Sequence, residues 1–184
     1  MRLVRPALEH LRGYVAALQR GWSPDNIRGL VATREELAAI EKDAALFVER
    51  MVDREAVGGP IELADGSKVQ RLPGYRLWIW DGEFCGSIGF RWQPGTSALP
   101  AHVLGHIGYA VVPWKQRRGY ATRALALMLG EARQEGLAYV EVTTDTDNVP
   151  SQKVILSNGG IETGHFTKPA SLGGKPTIRY RIDL

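Results

Sequence analysis

The sequence predicts an α+β domain with a mixed, mostly antiparallel twisted sheet of about seven strands, flanked by helices. Two observations support this prediction. Segments with strand and helix periodicity follow the order β-α-α-β-β-β-α-β-α-β-β. In the middle of the chain, strand-like segments succeed one another directly, as they do in antiparallel hairpins. The chain has 184 residues, 44% of them hydrophobic, which suits one domain over residues 1–184.

The N-terminal part predicts a strand and two helices. Residues 3–6 form a short apolar segment that we interpret as the first strand. Residues 9–20 carry apolar side chains at helical spacing. Thr33, with Glu36 three residues later, has the pattern of a capping box. We expect it to open a second helix whose apolar stripe runs to Met51.

The central part contains a strong hairpin pattern. Residues 75–80 and 84–92 are rich in aromatic and β-branched side chains and flank the turn sequence Asp81-Gly82-Glu83. Residues 61–69, with Asp65-Gly66 at their centre, fit either a small hairpin or a loop insertion. The other predicted elements are strands at 103–112, 138–144, 161–167 and 176–182 and helices at 120–134 and 149–157.

Two of these strands are expected to be parallel. A helix joins the strand at 103–112 to the strand at 138–144, and a helical connection is typical of a parallel crossover. Where the carboxyl ends of such strands diverge, a ligand can lie between them. The sequence therefore places a candidate binding slot near residues 112 and 144.

Charge and cysteine content exclude several classes of protein. The formal net charge is +3, and no run of five like charges occurs, so we expect no nucleic-acid partner. Cys85 is the single cysteine, which excludes an intrachain disulfide and an all-cysteine metal site. Residues 1–6 lack the apolar segment of a signal peptide, and no apolar stretch reaches about 18 residues. We expect a cytoplasmic monomer or homodimer without a membrane partner.

The clearest functional pattern is a basic turn. Gln116-Arg117-Arg118-Gly119-Tyr120-Ala121 follows an apolar run that ends at Pro113, and it opens a long helix. A helix N-terminus preceded by positive charge binds anions, most often phosphate. The turn lacks the Lys-Ser/Thr of a P-loop and the three glycines of a dinucleotide-binding turn. A basic helix cap on a solvated surface is the alternative interpretation.

Residues 105–161 resemble the GNAT superfamily of acetyl-CoA-dependent N-acetyltransferases. The family pattern is Gln/Arg-x-x-Gly-x-Gly/Ala between a strand and a helix, and Gln116, Gly119 and Ala121 match it. A second family block, Asn-x-x-Ala/Ser followed by a glycine at the end of the next helix, is matched by Asn148, Ser151 and Gly159. The element order also agrees with the fold of that family.

The resemblance implies acetyl-CoA as co-substrate and an amine acceptor, either a small molecule or a peptide. It implies that the backbone of Val111 and Val112 pairs with the pantetheine arm. It also places Asn148 against the pantetheine and Ser151 near the thiol, although Asn148 could act only as a helix N-cap. The residues that would hold the pyrophosphate are Gln116, Arg117, Arg118, Gly119, Tyr120, Ala121 and Thr122.

The catalytic groups are less well defined by the sequence. The family often has a tyrosine acid in the helix after the Asn-x-x-Ala block, but Ile155 stands at that place here. Ser151 is therefore a candidate weak acid. His106, on the strand before the turn, is the candidate base, because its usual pKa suits proton uptake at neutral pH. A histidine packed on the sheet is the alternative.

Two other chemistries are disfavoured. His102 and His106 are too far apart along a strand, about 13 Å, to share one metal ion, so we expect no metal site. Cys85 is more simply a small buried residue than a nucleophile.

The sequence thus predicts an N-acetyltransferase in which an amine attacks the thioester directly, in a ternary complex. A non-catalytic acyl-CoA-binding module of the same fold is the alternative, favoured by Ile155 at the tyrosine position. No motif identifies the acceptor.

Overall fold

The computed structural model describes residues 1–63 and 66–184. The helices are α1 (Leu8–Gln19), α2 (Leu30–Lys42), α3 (Ala44–Glu49), α4 (Tyr120–Gln134) and α5 (Val149–Leu156), with 3₁₀ turns at Pro113–Lys115 and Ala170–Leu172. The strands are β1 (Arg2–Val4), β2 (Val52–Asp53), β3 (Ile61–Glu62), β4 (Lys68–Val69), β5 (Gly74–Trp80), β6 (Phe84–Arg91), β7 (Ile107–Val111), β8 (Tyr139–Asp145), β9 (Ile161–Thr167) and β10 (Pro176–Asp183).

The strands form two main sheets, and the α+β class that the sequence predicts is confirmed. The first sheet has the order β1-β5-β6-β7, with β2 also pairing with β5, and the second has the order β8-β10-β9. All of these pairs are antiparallel. Strands β3 and β4 form a separate antiparallel pair. This confirms the small hairpin at 61–69, while Asp65, which the sequence analysis places at its centre, lies outside the described residues.

The two sheets meet at a fork between β7 and β8. His106, just before β7, donates its backbone N–H to the Glu141 carbonyl of β8 at 2.8 Å. Gly105 approaches the same carbonyl so closely that a Cβ there would lie 3.0 Å from it. Beyond this point β7 and β8 belong to different sheets. The strands thus touch at one end and separate toward Val111 and Asp145, as expected for a slot at their carboxyl ends.

Helices cover both faces of the first sheet, because each face is apolar. On one face, α4 buries Leu125 and Met128 against Ile88 and Val140. On the other face, α1 packs its buried Tyr14 on Trp78, with ring centroids 4.9 Å apart. The chain between α4 and α5 then continues into the second sheet, whose Val140, Val142, Ile178, Tyr180 and Ile182 join the first of these clusters.

The predicted capping box at Thr33 is wrong. The N-cap of helix α2 is Gly29, four residues earlier. The buried Thr33 hydroxyl donates instead to the Trp22 carbonyl at 3.1 Å. Glu36 does not reach back to Thr33, because its carboxylate accepts hydrogen bonds from Tyr14 and Arg76. A hydrogen bond between a guanidinium and a carboxylate is stronger than one from a backbone N–H, because both groups are charged.

The long helix predicted from Thr33 to Met51 is divided in two. Asp43 has an extended backbone, and its carboxylate accepts from the Leu46 N–H at 2.9 Å, so it ends α2 and caps α3. The strand predicted over residues 103–112 is also shorter than expected, because Val103 N–H donates to the Pro100 carbonyl in a turn. Among the described residues, no helix combines the length and the apolar character that crossing a membrane requires.

Candidate functional site

Strand β7 presents a free edge to the fork. It pairs with β6 on one side, where the Val112 N–H donates to the Cys85 carbonyl at 2.9 Å. The neighbouring Val111 faces the other way, and its carbonyl accepts from the Gln116 Nε2 at 3.3 Å. Because backbone groups alternate in direction along a strand, Val111 rather than Val112 offers its N–H to a ligand in the fork.

The basic turn leads directly from this edge into α4. Arg117 and Gly119 both have left-handed backbones, with φ of 59° and 71°. The Arg123 N–H donates to the Gly119 carbonyl at 3.0 Å, so the N–H groups of residues 120–122 precede the helical hydrogen bonds and have no partner within the helix. Arg117 and Arg118 are exposed beside them. The turn therefore combines free N–H donors with positive charge, as an anion site requires.

A carboxylate braces the turn from the neighbouring hairpin. The Tyr120 hydroxyl donates to Asp81 Oδ2 at 2.5 Å, and Lys115 Nζ donates to the same oxygen at 3.0 Å. The hydrogen bond from Tyr120, with help from Lys115, holds the pKa of Asp81 well below its usual range. Lys115 also contacts Glu83 at 3.2 Å, so its charge is balanced locally and the arginines remain to face an anion.

Sequence reasoning missed this brace. Asp81 was recognised only as a hairpin turn residue, since Asp-Gly is a common turn sequence. Its pairing with Lys115 and Tyr120 depends on the hairpin reaching the start of α4, which the sequence does not show. The one available signal was the coincidence of an acidic turn, Asp81 and Glu83, with a basic one.

Across the fork, α5 presents Ser151. Asn148 caps this helix, its Oδ1 accepting from the Ser151 N–H at 3.2 Å, which confirms the predicted N-cap. The Ser151 Oγ lies 2.9 Å from the Tyr109 hydroxyl of β7. Burial raises the pKa of Tyr109 to about 12, so this phenol stays protonated at neutral pH. The pair joins the two sides of the fork through hydroxyl groups.

Tyr109 is a second residue that the sequence analysis did not select. Alternation along β7 places the side chain of Tyr109 on the opposite face from Gly108. The face of Tyr109 is the one that α4 and α5 cover. Ile155, at the place of the usual family tyrosine, is fully buried in the core. The phenol near Ser151 therefore comes from the strand and not from α5.

His106 is the predicted site residue that lies apart from the others. Its side chain is fully buried, and its Nδ1 accepts from the Glu141 N–H at 2.9 Å. Burial lowers its pKa to about 4. Its neutral imidazole thus helps to join β7 and β8 at the closed end of the fork.

The remaining predicted residues lie where the turn and α5 approach each other. Thr122, in the first turn of α4, accepts a hydrogen bond at its carbonyl from Asn158 Nδ2 at 3.2 Å, which ties α4 to the end of α5. Ala121 is half-buried beside it. In residues 1–63 and 66–184, no group of three or more His, Cys, Asp or Glu side chains is arranged to hold a metal ion.

The diphosphate and the amide-containing arm of coenzyme A match two adjacent features of this site. A phosphate needs several converging donors, and the start of α4 offers the N–H groups of residues 120–122 next to Arg117 and Arg118. A pantetheine arm needs a free strand edge, which β7 supplies at Val111. These two features are adjacent, so one ligand with a diphosphate and an amide-containing arm can use both.

A family model matches most of the chain. Residues 21–161 match the family model described as acetyltransferase (GNAT) domain. No curated protein is similar enough in sequence to match the chain.

Several solved structures have the same fold. The microcin C7 self-immunity acetyltransferase MccE, solved with acetyl-CoA and AMP, has a TM-score of 0.63 at 16% identity, covering 99% of this chain and 91% of that one. RimL, the ribosomal L7/L12 alpha-N-protein acetyltransferase solved with coenzyme A, has a TM-score of 0.64 at 15% identity, covering 99% and 93%. The Salmonella typhimurium acetyltransferase that modifies the N-terminal serine of L7/L12 has a TM-score of 0.62 at 16% identity, covering 99% and 94%.

Proposed function

Since the chain belongs to the GNAT acetyltransferase family, we propose that it moves the acetyl group of acetyl-CoA to a primary amine by direct attack in a ternary complex. The observation that carries this proposal is the continuity of the free β7 edge at Val111 with the left-handed Gly119 turn that opens α4. The similar solved structures are under 25% identical, so they support the fold and leave the acceptor to be argued from this chain.

Donor binding follows from that continuity. The N–H groups of residues 120–122, with Arg117 and Arg118, would hold the diphosphate. The Val111 N–H lies on the open edge, where it would donate to the thioester carbonyl. The same N–H would stabilise the negative charge that develops on the carbonyl oxygen during attack.

Acetyl-CoA supplies the acetyl group as a thioester, an activated acyl donor. The amine nitrogen forms a bond to the acyl carbon, the carbon–sulfur bond breaks, and the amine loses a proton. Ser151 would donate a hydrogen bond to the departing sulfur, and Tyr109 would donate in turn to Ser151. Because the pKa of Tyr109 is about 12, this pair stabilises the thiolate by hydrogen bonding and keeps its own protons.

The base that accepts the amine proton is a separate question. The sequence proposes His106, but its imidazole is fully buried and has a lowered pKa, so its environment favours a structural role. Replacing His106 with Gln distinguishes the two roles. If His106 is the base, turnover by the His106→Gln variant should no longer change with pH between 6 and 9. If His106 is structural, the variant should keep the shape of the wild-type pH–rate profile.

Release of free coenzyme A thiol, measured with a panel of primary amines, tests the proposal. Acetyl-CoA-dependent thiol release that requires an amine supports the transferase. Tight acetyl-CoA binding without thiol release on any amine would instead support the non-catalytic acyl-CoA-binding module. Absence of acetyl-CoA binding would refute both.

A further inference from the structure

A groove lies on the face of the first sheet that α4 does not cover. It has a volume of about 790 Å³ and runs between α2 and α3 on one side and β5 and β6 on the other. Its lining residues include Gly89 and Arg91 of β6, Lys42 of α2, and Arg50, which follows α3.

The groove lies next to the strand that carries the proposed transfer, because its lining residue Gly89 belongs to the neighbouring strand. Gly89 pairs in register with Gly108 of β7, and the two glycines leave this part of the sheet without side chains. Tyr109 and Val111 follow on the same strand, within about 10 Å. An amine that entered along the groove would thus arrive beside the β7 edge, on the face opposite to the Tyr109 side chain.

The far side of this point is covered. In the loop between α1 and α2, the Asn26 side-chain amide donates to the Tyr109 carbonyl at 3.5 Å. A chain that reached β7 through the groove would meet this loop if it continued in the same direction. The arrangement therefore favours the end of a chain over a segment that passes through.

The charge of the groove is predominantly positive. Among the described residues, no ion pair is formed by four of its cations, which are Lys42, Arg50, Arg71 and Arg91.

The carboxylates of the groove are already engaged. Glu36 accepts from Arg76 at 3.0 Å and also from Tyr14. Asp43 accepts from the Leu46 N–H, and Asp53 accepts from the N–H groups of residues 57 and 58. Asp43 and Asp53 keep their charge, because a backbone N–H does not neutralise a carboxylate, but the four unpaired cations outnumber these two anions and leave the groove net positive.

We propose that the acceptor is the amino terminus of a polypeptide whose next residues are acidic. This rests on the proposed function, and it adds the class of substrate. The reacting amine would lie beside Gly108, and the following carboxylates would pair with Arg91, Arg71 and Arg50 along the groove. Apolar side chains of Phe47 and Met51, which also line it, would contact the peptide between its charges.

Three matched peptides test the proposal. They share the first residue and differ only in whether the next positions hold glutamate, glutamine or lysine. Two exposed ion pairs suffice for about a tenfold difference in kcat/KM. We therefore expect kcat/KM, measured by thiol release with acetyl-CoA, to be highest for the glutamate peptide, lower for the glutamine peptide and lowest for the lysine peptide. Raising the salt concentration should reduce the difference, because exposed charges are screened.

A charge reversal in the groove provides the decisive variant. Arg50→Glu combined with Arg91→Glu should move the preference to the lysine peptide. The matched control is Arg133→Glu, which changes an exposed arginine on α4, outside the groove, and it should keep the preference for the glutamate peptide. Acetyl-CoA affinity, measured for all three proteins, reports that the variants are folded.

The outcomes separate the inference from the proposed function. If the protein binds acetyl-CoA and acetylates all peptides equally, or only small amines, or no peptide, the acidic-terminus inference is refuted while the donor assignment stands. An unchanged preference in the double variant also refutes it. If the wild-type protein does not bind acetyl-CoA, the proposed function itself fails.

Discussion

Replacing Gly119 with valine isolates the role of the basic turn, because the chain contains a matched control. Gly119 is the N-cap of α4 and has a φ of 71°. Gly136, just beyond the C-terminal end of the same helix, has a φ of 79°. A Cβ added at either position would meet no atom within 4 Å. The two substitutions therefore impose the same kind of backbone strain at opposite ends of one helix, and at neither position does the added Cβ contact another residue.

The magnitudes of the two effects differ by site. A left-handed backbone costs a residue with a Cβ about 1–2 kcal/mol, so both variants should lose a similar free energy of unfolding. For a chain of this size that corresponds to a fall in Tm of roughly 2–8 °C. Only Gly119→Val also turns away N–H groups that would meet the diphosphate. Loss of two charge-assisted hydrogen bonds, at about 1.5 kcal/mol each, weakens binding by about a hundredfold or more.

The assay is calorimetric titration with acetyl-CoA, with thermal unfolding measured on the same samples. We expect Gly136→Val to bind as the wild type does and Gly119→Val to bind at least about a hundredfold more weakly. Equal affinities in the two variants would refute the assignment of the diphosphate to this turn. A loss of affinity in both would show that the effect comes from destabilising α4 and not from the turn.

Three further predictions concern residues around the fork. Tyr109→Phe and Ser151→Ala should each lower kcat about fivefold to tenfold at unchanged acetyl-CoA affinity. The double variant should not lower kcat further, because the two hydroxyl groups act as one hydrogen-bonded pair. Wild-type turnover in Tyr109→Phe would contradict this. The pKa of His106 is lowered from 6.5 to about 4, so between these pH values the unfolded chain binds a proton that the folded chain does not. The free energy of unfolding therefore decreases as the pH is lowered from 6.5 to about 4, by up to about 3 kcal/mol. In urea unfolding, His106→Gln should remove that part of the slope, and an unaltered slope would contradict the lowered pKa. The pKa of Asp81 is held below its usual 3.8, so its contribution to stability is present above that pH and is lost on acidification. Asp81→Asn should therefore lower Tm at pH 7, and by progressively less below pH 3.8. A difference in Tm that does not depend on pH would exclude the ionised carboxylate as the cause.

The elements predicted well are those whose pattern is local. The hairpin of β5 and β6 has its turn residues and its aromatic-rich strand segments in consecutive sequence, and α4 has a continuous apolar stripe. The N-cap at Asn148 was predictable because the cap and the N–H that it accepts from, at Ser151, are three residues apart. For such features the interacting groups lie within one short window of sequence.

The features that were missed depend on contacts between distant segments. The capping-box pattern at Thr33 and Glu36 is local, yet Arg76 lies 40 residues beyond Glu36 and takes its carboxylate. The Tyr109–Ser151 pair spans 42 residues. His106 looked suitable as a base from its usual pKa, but its pKa depends on burial, which is a property of the folded core.

The same alternation along β7 also argues for direct transfer without an acyl-enzyme. Tyr109 faces α5 on one side of the sheet. Gly108 lies on the other side, paired with the groove residue Gly89, so donor and acceptor would approach one strand from opposite faces. Transfer through a covalent intermediate would need a nucleophile at that strand. Cys85, the single cysteine, is fully buried, and burial raises the pKa of its thiol to about 12, which disfavours the thiolate that a nucleophile requires. The simplest mechanism consistent with these positions is direct attack by the amine on the thioester next to Gly108 of β7. Cys85→Ala should then keep full turnover, and its initial-rate patterns should remain those of a ternary complex.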